Sequence, residues 1–171
     1  KVLKDLPMSL IQAIKHYFVS TAIRRARGQK TAHSSMLINV SQYIKKQDDV
    51  YRLVNAQVIE YCDKVDCLDD NPAFEKDLES IFLEKITHSN SIICQMYPEW
   101  SDRLDMPLWT NVREELRFVA AKVRNEFRVI HSSTDDDFDL NTTRLDYNKY
   151  GNREKEIDNG LYVIAIGGNT M

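Results

Sequence analysis

Residues 161–166, Leu-Tyr-Val-Ile-Ala-Ile, carry no charge and no alternation of apolar with polar side chains, and they run directly into Gly167, Gly168 and Asn169. A strand with one wet face alternates. A continuous apolar run reads instead as a strand covered on both faces, the situation of a parallel sheet packed under helices. This segment therefore demands partner strands and a covering layer from the rest of the chain.

Two other stretches qualify as partner strands. Met36, Leu37, Ile38, Asn39 and Val40 form a short apolar run bounded by serines that reads as a buried strand, and residues 127–132, Phe-Arg-Val-Ile-His-Ser, form another strand candidate. Between and before them the spacing is helical. Pro7 suits a first helical turn and Gly28 the residue just past a helix end. Leu10, Ile14, Tyr17, Phe18 and Ala22 recur between them at helical spacing, and Arg25 extends the same stripe. Arg24, Arg25 and Arg27 crowd the last turn, where cations complement the helix dipole.

Val50, Leu53, Val54, Val58 and Tyr61 form a second stripe, and Phe74, Leu78, Ile81, Phe82 and Ile86 a third. The third follows Asn71 as expected cap and Pro72 as first helical residue. A further helix is expected over 109–126, with Thr110 or Asn111 as cap and Glu114 and Glu115 in its first turn. Helices alternating with short apolar strands predict an α/β fold with a partial parallel sheet, helix-rich overall. The link between the first two strands is about 85 residues, whereas a simple crossover needs only a dozen or more. This divides the chain into 1–71 (first helix and strand-helix unit), 72–126 (a helical insertion) and 127–171 (the remaining strands). The polar, acidic stretch 135–160 reads as a long surface excursion or mobile loop.

The charge balance is −3, with a pI near 5.8, so no basic excess advertises nucleic-acid binding. The three cysteines, Cys62, Cys67 and Cys94, show neither C-x-x-C nor nearby histidines, which favours reduced thiols in a cytoplasmic protein over a disulfide framework or a zinc site. No apolar run approaches the roughly 18 residues of a membrane span, and no secretory leader opens the chain. Starting at Lys1 and stopping at Met171, it reads as a piece of a larger protein.

Motifs with a defined chemistry are few. There is no G-x-G-x-x-G, no G-x-x-x-x-G-K-[ST] and no Glu-x-Lys of the kind a restriction-type nuclease uses. Gly167, Gly168 and Asn169 sit where ligands gather, at the carboxyl end of a strand in an open α/β sheet, though a plain structural turn has the same composition. Ser41 follows the first strand run and Ser132 and Ser133 the second. Hydroxyls there suit a phosphate or a helix cap. Arg24, Arg25, Arg27 and Lys30 are the candidate phosphate contacts, with the helix dipole as the competing explanation. Asp135, Asp136 and Asp137 read as a solvated loop rather than a metal site.

Taken in order, "LPMSLIQAIKHYFVSTAIRRARG", "HSSMLINVSQ", "VIHSS" and "LYVIAIGGNTM" resemble a bacterial family, the Z-one domain family, which carries the name of an endonuclease. In that family the last motif continues Gly-Gly-Asn-x-Leu-Ser-Arg-Gly. Here Thr170 fills the variable place, Met171 stands where leucine is usual, and the chain ends before Ser-Arg-Gly. The resemblance implies a superfamily-two helicase or translocase encoded in restriction-modification or phage-defence systems. "SMLINVS" and "FRVIHSS" then resemble strands of the second helicase lobe, and "YVIAIGGN" the strand and loop of motif V, which couples nucleotide state to the nucleic-acid backbone. Gly167, Gly168, Asn169, Ser41, Ser132 and Ser133 become the expected coupling residues. ATP and magnesium are expected in the full-length parent and not on this chain, which lacks the phosphate-binding loop. DNA is the expected partner, with a nuclease or methyltransferase of the same system. The other readings are a non-enzymatic helical protein-interaction module and the endonuclease of the family's name.

Overall fold

A computed structural model describes residues 5–39, 44–103, 106–125, 128–130 and 160–167. Helix α1 spans Met8–Ala26, strand β1 Ser34–Asn39 and helix α2 Ile44–Asp66. Helix α3 spans Pro72–Ser80 and widens into a π-helical segment, Ile81–Thr87, before α4, His88–Met96. A 3₁₀ stretch, Pro98–Arg103, leads towards α5, Trp109–Asn125, then β2, Arg128–Ile130, and β3, Tyr162–Gly167.

The two glycine and proline signals mark α1 as expected. Pro7 precedes it, and Gly28 closes it at φ +86°, a left-handed conformation that costs a glycine little. Pro72 starts α3, but Asn71 caps through its main chain only: its carbonyl accepts the amides of Phe74 and Glu75, while its side-chain Nδ2 donates to the Cys67 carbonyl at 2.8 Å. The expected cap of α5 is displaced. The Leu108 carbonyl accepts the amides of Asn111 and Val112, so Thr110 and Asn111 lie inside the first turn. Glu115 sits beyond that turn and turns towards α1.

The strands form one parallel sheet in the order β1-β3-β2, the last strand in sequence lying at the centre. This accounts for its composition. β3 is flanked on both edges and buried along its whole length, whereas β1 is buried at one position only. The run expected as a buried strand is thus buried on one face only over 36–39, Val40 lying outside the described residues. Ile38 enters the core, while Leu37 is 64% exposed on the opposite face. Helices pack against one face of β1, and side chains alternate across it.

Tyr162, Ile164 and Ile166 of β3 share one core with Ile14, Phe18 and Ala22 of α1, Val54 and Val58 of α2, and Val112, Leu116, Val119 and Val123 of α5. Residues 72–126, expected as an insertion, divide in their packing. Helix α5 lies against α1, α2 and β3, and so belongs to the layer on which the sheet rests. Helix α4 buries no residue at all. Among the described residues no helix is long and apolar enough to cross a membrane.

Candidate functional site

The site begins with the register of the sheet. Asn39 of β1 and Ile130 of β2 both pair with Gly167 of β3. Because the strands are parallel, these three residues stand in one row across the sheet, towards its carboxyl side. The segments carrying Ser41, Ser132 and Ser133 continue from the outer two ends, and Gly168 and Asn169 from the central one. Those five residues lie outside the described ones. Gly167 is described: it is the last residue of β3 and is buried.

The opposite end of β3 is held by a cationic cluster. Arg25, on the apolar stripe of α1, is 2% exposed. Its Nε donates to Glu115 Oε2 at 2.7 Å, and its Nη1 to the Tyr162 hydroxyl at 3.0 Å. Its guanidinium lies 3.5 Å from the centre of the Phe118 ring, in cation–π contact. The Tyr162 hydroxyl donates in turn to the Lys30 carbonyl at 2.8 Å. A buried guanidinium is tolerable only when its donors are matched in this way.

This corrects the reading of Arg25 as a phosphate contact. Its charge is committed to the interior, because the helical stripe carries it there together with Ile14, Phe18 and Ala22. The other three cations of the set do not converge. Arg24 donates to the His33 carbonyl at 3.0 Å and to Gln29 at 3.2 Å, Arg27 approaches Met106 Sδ at 3.2 Å, and Lys30 lies 3.5 Å from Glu115 Oε1. Lys30 is half exposed and is the most accessible of the four. Ser34 is part of β1, its hydroxyl 2.9 Å from Thr21 Oγ1 and its carbonyl accepting the Tyr17 hydroxyl at 2.8 Å. Glu115, Phe118 and Tyr162 escaped the sequence reading, although a charged residue falling on an apolar helical stripe is itself a signal that a buried counter-charge exists.

Elsewhere the chemistry is quiet. Among the described residues no three histidine, cysteine or acidic side chains gather as metal ligands; Asp135, Asp136 and Asp137 lie outside them. Cys62, Cys67 and Cys94 are free thiols. Cys62 is buried, donates to the Ala120 carbonyl at 3.4 Å, and is pushed by desolvation to a pKa of about 11, so it is a packing residue rather than a nucleophile.

Fold and site together define a helix-rich α/β protein whose central parallel strand carries Gly167 at the carboxyl side of the sheet. A family model described as the Z1 domain matches residues 9–171, and the chain belongs to the Z1 domain family. No curated protein and no solved structure matches it.

Proposed function

We propose that this chain is the coupling part of a DNA-directed, helicase- or translocase-like ATPase serving a restriction-modification or phage-defence system, and that its sheet corresponds to the second lobe of such a motor. The observation that carries this reading is the row of Asn39, Ile130 and Gly167 across the carboxyl side of the parallel sheet. Ligands of open parallel sheets bind on that side. Backbone amides of a glycine pair can approach a phosphate where a side chain would obstruct them. Gly167, Gly168 and Asn169 are the proposed contacts to the DNA backbone. Ser41, Ser132 and Ser133 are the proposed hydroxyls beside them.

ATP and magnesium do not fit the described residues, which offer neither a phosphate-cradling loop nor a cluster of acidic ligands. They are assigned to another part of the full-length protein. A nuclease or methyltransferase of the same system is the proposed partner.

The test is ATP hydrolysis by the full-length protein with and without duplex DNA, beside an Asn169→Ala version. Stimulation by DNA that is lost in the variant supports the coupling role. Hydrolysis indifferent to DNA and to the substitution overturns it.

A second reading, a helical protein-interaction module, has one observation in its favour. Residues 86–98 contain no Asp, Glu, Lys or Arg, and α4 with the turn after it leaves Ile92, Met96, Tyr97 and Trp100 exposed, the last two stacked at 5.1 Å. Loss of a binding partner on Met96→Asp, with DNA-stimulated hydrolysis intact, would assign that role to this helix.

A further inference from the structure

The start of β3 is fastened to the turn between α1 and β1 by successive contacts, and one of them depends on a proton. The Ser34 amide donates to the Leu161 carbonyl at 2.8 Å, which begins the β1–β3 ladder. The Tyr162 hydroxyl donates to the Lys30 carbonyl. Gly160 lies so close to this turn that an added Cβ would stand 2.9 Å from the Ala32 carbonyl oxygen. Between these, the Leu161 amide donates not to a carbonyl but to Nδ1 of His33, at 3.0 Å. An imidazole nitrogen accepts a hydrogen bond only through its lone pair, so this contact fixes a neutral ring with its proton on Nε2. The imidazolium form has two N–H donors, and would turn a donor towards a donor.

We propose that His33 is a proton-sensitive catch on the amino end of the central strand: neutral, it holds Leu161 in register, and protonated, it releases that amide. Among the described residues, charged and titratable groups face it from α1, the turn, α5 and β3. From α1 come Arg24, bonded to the His33 carbonyl, Arg25, bonded to Glu115 and Tyr162, and Tyr17, bonded to the Ser34 carbonyl. The turn supplies Lys30, α5 supplies Glu115, and β3 supplies Tyr162. The Leu161 amide is the group that meets the imidazole acceptor.

The catch lies at the end of β3 opposite Gly167 and stands independently of the DNA-coupling reading. Its consequence is local: with the His33 ring protonated, the first residues of β3 loosen while the paired centre of the strand holds.

Amide hydrogen exchange of Leu161, expressed relative to its intrinsic rate and read by NMR from about pH 8 to about pH 5, tests this. In the wild-type chain Leu161 protection should fall roughly fivefold, the scale of one net hydrogen bond, in step with the titration of the His33 ring resonances. Ile164, in mid-strand, should not follow. His33→Asn offers a carbonyl acceptor that does not titrate and should keep Leu161 protected throughout. His33→Ala should leave it unprotected at both ends of the range. Should the alanine variant fail to fold, the asparagine variant carries the comparison alone. A pH-dependent loss that persists in His33→Asn, or Leu161 protection that ignores the His33 titration, overturns the proposal. Neither result bears on ATP hydrolysis.

Discussion

Arg25 and Glu115, 90 positions apart in sequence, form an ion pair with Nε 2.7 Å from Oε2, and the arginine is almost wholly buried. The pair joins α1 to α5 at the place where Tyr162 of β3 also enters. Removing one partner strands the other charge in the interior, which typically costs about 3–5 kcal/mol. Glu115 retains some contact with water, so Glu115→Ala is expected near the lower end and Arg25→Ala near the upper. Chemical denaturation of the single and double variants checks this. A double variant no worse than either single one shows a coupled pair; additive losses would mean the two residues act separately.

The exposed ion pairs should behave differently. Arg113 reaches Asp69 and Glu75, and Arg117 reaches Asp69, but Asp69 is 75% exposed. Pairs in water contribute at most about 1 kcal/mol and are screened by salt. Asp69→Ala is therefore expected to change stability by less than that, with the difference vanishing in high salt. Melting curves at low and high ionic strength separate it from the salt-insensitive loss expected at Glu115.

Two glycines are required for unlike reasons. Gly28 needs its positive φ, but a Cβ there meets nothing within 4 Å. Gly28→Ala should cost about 1 kcal/mol of backbone strain, and Gly28→Asn less. Gly160 has no space: its Cβ would come within 2.7 Å of the Tyr162 hydroxyl and 2.9 Å of the Ala32 carbonyl. Gly160→Ala should cost about 1–3 kcal/mol through displaced neighbours, and it should disturb Leu161 and Tyr162 resonances while leaving α2 unchanged. Equal losses at both sites would contradict this assignment.

Alkaline stability follows from three buried acids, Cys62, Tyr17 and Tyr61, the last pushed up to about 12 by desolvation. Desolvation raises Cys62 from 9.0 to about 11, and desolvation raises Tyr17 above its ordinary 10.0. In each case the folded pKa exceeds the unfolded one, so the fold favours the protonated form. The stability this contributes is complete below the unfolded pKa and is lost as pH rises through the folded one. Stability should hold to about pH 9 and decline above it. Cys62→Ala should move the onset of that decline towards the range of Tyr17. At pH 8 a thiol reagent should modify exposed Cys67 well before Cys62; equal rates would refute the burial argument.

Much of the fold was legible because short-range physics writes it into the chain. The stripe of Ile14, Phe18 and Ala22, the stripe of Val50, Val54 and Val58, the proline at 72 and the glycine at 28 each act within a few residues, and each marks its helix. The unbroken run at 161–166 states that its strand is covered on both faces. At the site the same reading reached Gly167 as the end of that strand, while Ser41, Ser132, Ser133, Gly168 and Asn169 remain outside the described residues. It went wrong over Arg25, since a cation near a helix end satisfies the dipole argument and the phosphate argument equally well, and its true partner lies 90 positions away.

What the sequence by itself determined, then, is where helices and strands form and that the strands make a parallel sheet. Tertiary structure alone decided that α5 joins the main core, that β1 is wet on one face, and that Arg25, Glu115, Phe118 and Tyr162 meet. It also decided that Asn39 and Ile130 both pair with Gly167. Those outcomes depend on register and on packing between segments far apart in the chain, and such energies arise only once the surfaces are brought together.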